Sequence, residues 1–310
     1  MSDDRYQQGL IVEHPRMPKW GPGKILLIQG SKLRIYFRDL AGKHPEDAVR
    51  SIDTQYVQLE PAKEQSDFFL DNLPPYQDGC FKGRPKRRVT FKEGLDLFQK
   101  KFPLLFKDPD YLDHPDKNER GYKWKAHELW ADTLGGGEAE ALLGSGRLDE
   151  LRERAFAVEQ QVNIFSIYER MALRDGLSDD DAAATFFASL LRLIAAGKPD
   201  KDLFESFVRS LQELPVEEGK TRAATWPNAT LFQFLAAPSG FMFMKPEVTK
   251  ACALSLTFDL NYRSELNWLT YSKLQEMSEQ LLERLRPCGA RDFIDVQSFI
   301  WLIGAGLKKS

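Results

Sequence analysis

The sequence predicts an α+β, multidomain chain: a small N-terminal β-barrel followed by a mainly helical domain. Three observations predict it. Apolar and polar residues alternate between turns marked by glycine and proline as far as Pro61. A proline-punctuated passage and a basic run then occupy residues 63–89. From Thr90 onward the apolar period becomes that of a helix. The expected domains are 1–62, the barrel; 63–89, a linker and basic loop; and 90–310, the helical domain, with a sub-boundary near 216–226. At 310 residues the chain is long enough for two cores.

The first strand is expected from Gly9 to Val12, where His14-Pro15 interrupts it, because proline removes a backbone donor. Lys19 to Lys24 reads as a turn: Gly21 and Gly23 can take positive φ and Pro22 fixes the residue between them. "KILLIQG" and "KLRIYF" follow as a hairpin turning at Gln29-Gly30-Ser31. Leu33, Ile35 and Phe37 fall on one face, and Arg34, Tyr36 and Arg38 on the other. Tyr56 to Pro61 supplies a last strand. A few short strands bury little as an open sheet, so closure into a barrel is expected.

The order Gly9-x-x-Val12-x-His14-Pro15, then Gly21-x-Gly23-Lys24-Ile25, then a strand ending in Phe37 resembles a known small barrel. It is similar to the Tudor-like module of bacterial DNA-repair helicases. It also resembles the polymerase-interacting modules of CarD-type transcription regulators and transcription-repair coupling factors. The likeness covers residues 6–61. This chain adds Arg16-Met17-Pro18-Lys19-Trp20 before the turn and a long segment, Arg38 to Thr54, before the last strand. The resemblance implies docking to RNA polymerase, another protein or DNA, with no chemistry in the barrel. By position it makes Trp20, Lys24 and Arg38 contact residues, with Trp20 expected to be exposed.

Formal net charge is −3, which argues against a polyanion binder as a whole. The charge is uneven, however. Residues 1–125 hold 23 basic and 19 acidic groups, a net of +4, and the remainder holds −7. Any nucleic-acid contact is therefore expected near the front. Cys80 to Lys92 is the candidate. Lys82, Arg84, Lys86, Arg87, Arg88 and Lys92 lie there without an acid, between Phe81 and Phe91, which suits sequence-independent binding of phosphates. The competing reading is a solvated basic loop that balances the acidic body.

The helical domain opens with a Thr90/Glu93 capping box. Asp108, Asp110, Asp113 and Asp116 lie in a loop that lacks the central glycine and closing glutamate of a calcium loop, so no metal and no cofactor is expected. In Gly121 to Gly137, Tyr122, Ala126, Leu129 and Thr133 form the expected apolar stripe, with His127 beside it. One long helix or two short ones carry Leu148, Leu151, Ala155, Val158, Val162, Tyr168 and Met171 as core. Ser178 and Asp200 are expected caps, and the run Phe241 to Met244 is expected to be buried. A helix from Asn267 to Arg286 and one capped by Asp292 complete the chain. The part from Lys245 to Trp301 resembles a module of bacterial restriction- or defence-linked proteins, and no residue role is carried over from it.

Cys80, Cys252 and Cys288 are odd in number and far apart, which argues against zinc sites and a disulfide framework and points to reduced thiols. Without a signal-peptide core or an apolar run of about 20 residues, the expected location is the cytoplasm, with no membrane partner. No phosphate loop or restriction-nuclease motif stands in the sequence. The favoured function is a non-enzymatic adaptor bound to nucleic acid, RNA polymerase or another protein, in DNA repair, transcription or phage defence. The alternatives are a protein–protein scaffold without nucleic-acid contact, and an enzyme whose site gathers Asp108, Asp110, His114 and His127.

Overall fold

In the computed structural model, residues 5–83, 85, 87–113, 118–164 and 166–306 are described. Strands β1 (Ile11–Glu13), β2 (Gly23–Gln29), β3 (Lys32–Phe37), β4 (Val49–Asp53) and β5 (Glu60–Pro61) make one antiparallel sheet in the order β4-β3-β2-β1-β5. Within this pairing β4 and β5 are the edges, so the strands form a small sheet and the pairing does not close it into a barrel.

Register explains the apolar run in β2. Ile25 pairs with Ile35 and Ile28 with Leu33, with a bulge between Ile25 and Leu27. The bulge brings Ile25 and Ile28 to the same face, where strict alternation would separate them. That face holds Val12, Ile25, Leu33, Ile35, Phe37 and Ile52, sealed by Tyr6 and Leu59. Gly23 is required here: a Cβ would stand 2.6 Å from Phe37 Cδ1 and 2.8 Å from Ile35 Cγ2.

The second face is also covered. Ile11 and Tyr36 pack with Ala48, Ala62, Leu70 and Phe81. Those partners come from a stretch with helix α1 (Phe68–Asp71) and the β6 (Tyr76–Gln77) and β7 (Cys80–Phe81) hairpin. Asp67 caps α1 by accepting from the Phe69 and Leu70 N–H groups.

The chain divides into two units. The sheet's unit runs to Lys100 and takes in Lys250–Leu260 and a stretch from Trp301. Residues 63–100 thus belong with the sheet, and a segment from the helical body joins them. Phe258 stacks on Phe68, the Asp259 N–H donates to Asn72 O, and the Val89 N–H donates to Ser255 O.

The remaining helices are α2 (Phe91–Lys101), α3 (Pro109–Leu112), α4 (Gly121–Leu134), α5 (Glu138–Gly144), α6 (Leu148–Gln160) and α7 (Ile167–Gly176). They continue as α8 (Asp180–Ala195), α9 (Lys201–Gln212), α10 (Trp226–Ala236), α11 (Pro246–Ser255), α12 (Trp268–Leu285) and α13 (Phe293–Gly306). None of the described helices is long and apolar enough to cross a membrane.

In the helical unit α10 is buried on every side, from Trp226 to Leu235. The run Phe241 to Met244 is buried, as expected, but irregular. Its backbone is satisfied by side chains: Gln275 accepts from Met242 N–H at 2.6 Å and donates to Gly240 O at 2.8 Å, and Thr230 accepts from Met244 N–H at 2.9 Å.

Two expected stripes differ. The chain breaks between α6 and α7, where Ser166 and Glu169 form a capping box, and the new helix starts in a different phase. Tyr168 (71% exposed) and Met171 therefore face solvent, and Ala172, Leu173 and Gly176 face inward. In α4 the buried residues are Gly121, Lys123, Ala126, Trp130 and Leu134, a stripe turned from the expected one and carrying a charged residue.

Candidate functional site

The basic segment leaves β7 at Phe81, and the Thr90/Glu93 box closes it. Thr90 N–H donates to Glu93 Oε2 at 2.7 Å, and Glu93 N–H donates to Thr90 Oγ1 at 3.2 Å. Lys82, Arg87 and Lys92 are exposed, and no ion pair joins them to an acid among the described residues. Arg84 and Lys86 lie outside the described residues.

Arg88 corrects the expectation. It is 2% exposed and is not a free phosphate ligand. Its guanidinium donates to Tyr36 Oη from Nε at 3.1 Å and from Nη2 at 2.9 Å. It donates further to Arg38 O at 2.7 Å and Leu40 O at 2.5 Å. The backbone is held as well, with Arg88 N–H on Lys43 O at 2.7 Å. Five guanidinium N–H donors in a planar fork can serve several oxygens at once, which an ammonium cannot do. Arg88 fastens the segment to β3, with Arg87 exposed before it and Val89 buried after it.

The three contact residues suggested by the barrel resemblance are engaged within the unit. Trp20 is half-buried, not exposed: its ring lies 5.0 Å from Phe37 and 5.1 Å from His14, with the Arg50 guanidinium 5.6 Å over it. It covers the end of the sheet core because Gly21, at φ 68°, folds the chain back there. A Cβ on Gly21 would fall 2.2 Å from Asp39 Oδ2. Lys24 donates to Leu70 O at 3.1 Å and pairs with Asp71 at 3.3 Å, which ties β2 to α1. Arg38 pairs with Asp67 and, at 2.9 Å, with Asp39; the Asp39 hydrogen bond holds its guanidinium above the ordinary range.

Asp108 and His127 of the enzyme alternative have structural partners. Asp108 caps α3, accepting from Asp110 N–H at 3.0 Å and Leu104 N–H at 2.9 Å. His127 Nδ1 lies 2.7 Å from Leu235 O, so that nitrogen carries the proton and donates. His114 and Asp116 lie outside the described residues. Among the described residues no three His, Cys, Asp or Glu side chains gather to hold a metal ion.

A buried ionic network in the helical unit went unnoticed in the sequence. Arg120 holds Asp292 through two nitrogens, at 2.8 and 2.6 Å, and reaches Asp295 at 2.8 Å. Tyr111 donates to Asp295 at 2.5 Å, and Lys123 donates to Ser298 Oγ at 3.0 Å. Burial opposes the Arg120 charge, but the Asp292 hydrogen bond and Asp295 outweigh it and hold the guanidinium above its ordinary range. Burial pushes Lys123 down to about 8. The expected cap at Asp292 is present, through Ile294 N–H at 3.0 Å, and the same carboxylate anchors Arg120. Partners 172 positions apart leave no local spacing to read.

A groove of about 770 Å³ lies in the sheet's unit, lined by Arg5, Arg16, Tyr56, Gln58 and Glu60 among others. Tyr56, 81% exposed, is the most exposed of the large apolar side chains described. Compared with known proteins, the chain matches no family model, no curated protein and no solved structure.

Proposed function

We propose that this chain is a docking protein that holds a nucleic-acid backbone against its sheet-bearing unit without reading sequence. One observation carries the reading. Lys82, Arg87 and Lys92 face solvent from a segment that buried Arg88 fastens to Tyr36 and to two carbonyls of the 38–40 turn. A fastened segment presents its charges with little ordering left to do on binding, and phosphates are the natural ligands of such cations. The resemblance of residues 6–61 to Tudor-like and CarD-type docking barrels supports the same class of function.

The test is the salt dependence of duplex DNA binding by the full chain. Three phosphate contacts give a log–log slope of about −2.7, at about −0.9 each. Replacing Lys82, Arg87 and Lys92 together by alanine should remove that slope and weaken all sequences alike. An unchanged slope would overturn the reading. A second reading, docking to a protein through the helical unit, is favoured by exposed Ile167, Tyr168 and Met171 at the start of α7. It requires a complex that survives high salt and nuclease treatment.

A further inference from the structure

The basic segment lies against a second stretch of chain that carries a cation of its own. The Arg88 N–H donates to Lys43 O at 2.7 Å, and the Arg88 guanidinium reaches Arg38 O and Leu40 O, so the 38–43 stretch is bound to Arg88 along its length. Lys43 is exposed, and no acid pairs with its ammonium among the described residues. Its backbone is fixed, because Asp47 Oδ2 accepts from the Lys43 and His44 N–H groups at 2.8 and 2.9 Å. Lys43 therefore stands beside the peptide that joins Arg87 to Arg88, although it is remote from both in the sequence.

The segment is held at further points. Phe81 N–H donates to Glu46 Oε1 at 3.0 Å, Lys82 N–H to Pro75 O at 2.9 Å and Val89 N–H to Ser255 O at 2.9 Å, and Pro85 is buried. Three acids lie along it, Glu46, Asp47 and Glu93, and each accepts from a backbone N–H. Lys43, Lys82, Arg87 and Lys92, with Arg88 beneath them, outnumber these acids.

The aromatic residues of the segment are turned inward. Between Cys80 and Lys92 the sequence holds two, Phe81 and Phe91. Phe81 is buried, its ring centroid 5.4 Å from Tyr36 and 4.9 Å from Tyr76, and Phe91 is half-buried. Proteins that hold single strands combine a positive groove with aromatic faces on which bases stack. This surface has the charge without the stacking platform. A duplex keeps its bases inside and offers closely spaced phosphates on a stiff frame, which suits cations carried on a fixed backbone. A single strand has to be ordered on binding and gains no stacked base in return.

We propose that this surface takes the backbone of double-stranded nucleic acid in preference to a single strand, and that Lys43 is its fourth phosphate ligand. The proposal rests on the nucleic-acid reading above and adds to it the form of the ligand and a contact from outside the basic segment.

The experiment is fluorescence anisotropy of the full chain with a short labelled oligothymidylate, alone and paired with its complementary oligoadenylate, over a range of salt. Four contacts give a log–log slope of about −3.6 on the duplex and about −2.8 on the single strand. Each tenfold fall in salt should therefore favour the duplex by a further factor of about six. Lys43→Ala should flatten the duplex slope by about 0.9, and Lys43→Arg should keep it. Arg87→Ala should weaken both forms. Arg87→Trp supplies the missing aromatic face, so it should weaken the duplex and spare or strengthen the single strand. Lys43 and Arg87 are exposed, so unchanged melting temperatures separate lost binding from lost folding. A single strand held as tightly as the duplex at low salt overturns the proposal. So does a duplex slope that Lys43→Ala leaves unaltered. If either result appears while the Lys82, Arg87 and Lys92 replacement still flattens the slope, this proposal falls and the docking reading stands. If the parent chain binds neither form, both fall.

Discussion

Lys123 shows what a buried charge does to this molecule. It lies on α4 with no exposed surface, its ammonium on Ser298 Oγ, with Glu119 at 3.8 Å and Arg120 one residue-turn away. Burial favours the neutral amine, and the nearby carboxylates of Glu119 and Asp295 only partly offset this. Folded Lys123 therefore releases its proton near pH 8, whereas the unfolded chain keeps it to about 10.5. Between those values the unfolded state binds more protons, so this group makes the folded state more stable as pH rises. Unfolding by urea from pH 8 to pH 10 should show the parent chain gaining on Lys123→Met by about 2–3 kcal/mol, at ~1.4 kcal/mol per unit. Taking the difference between the two proteins cancels the tyrosines that titrate higher up. A difference that stays flat with pH would mean that Lys123 is not desolvated. No reading by residue type finds this position, because lysine counts as a surface residue and the apolar stripe drawn along α4 passes beside it.

At the scale of elements, the strands with strong alternation were legible and the edges were not. β2 and β3 show themselves through Ile25, Leu33, Ile35 and Phe37 and a two-residue turn at Gly30-Ser31. β4 has one buried residue, Ile52, in "VRSID", and an edge strand with so much polar character reads as loop. The caps at Thr90, Asp200 and Asp292 were legible because a short side chain two or three residues before a backbone donor is a local pattern, whereas the cap of α8 is Asp179 and the expected Ser178 donates to Asp175 O instead. The basic segment was legible as charge but not as structure. Its type gave six equivalent cations; its fold makes Arg88 a fastener. Arg88→Ala should lower stability by about 2–4 kcal/mol, because it strands the Tyr36 hydroxyl and two carbonyls and leaves a gap. Arg88→Lys should recover little, since one ammonium cannot reach all three oxygens. Urea midpoints decide the point. A variant of parent stability with weakened DNA binding would return Arg88 to the list of phosphate ligands.

For the whole molecule, the order of the chain and the order of the packing differ. A boundary after residue 62 follows from the change in composition, yet Ile11 and Tyr36 need Leu70 and Phe81 over them, and Phe68 needs Phe258. Such long-range partners leave no trace in a local pattern. Residues 1–62 alone should therefore be poorly folded, with little dispersion in a one-dimensional proton spectrum, and the full chain should be well dispersed. A well-dispersed spectrum from the fragment would show that the second face of the sheet needs no cover. The docking surface proposed for Lys82, Arg87 and Lys92 sits on this same unit.

Helix α10 carries a consequence of another kind. From Trp226 to Leu235 no position faces water, and its polar members bond within the unit: the Asn228 amide N–H groups to Ala223 O and Glu169 O, Thr230 to Trp226 O and Met244 N–H, and the Gln233 amide N–H to Ala229 O. On an ordinary surface helix about half the positions can change freely. Here each replacement alters either a packed volume or a bonded polar group. The ten residues from Trp226 to Leu235 should therefore tolerate substitution less than any outer helix of the unit does, which a scan of single substitutions read by melting temperature would show.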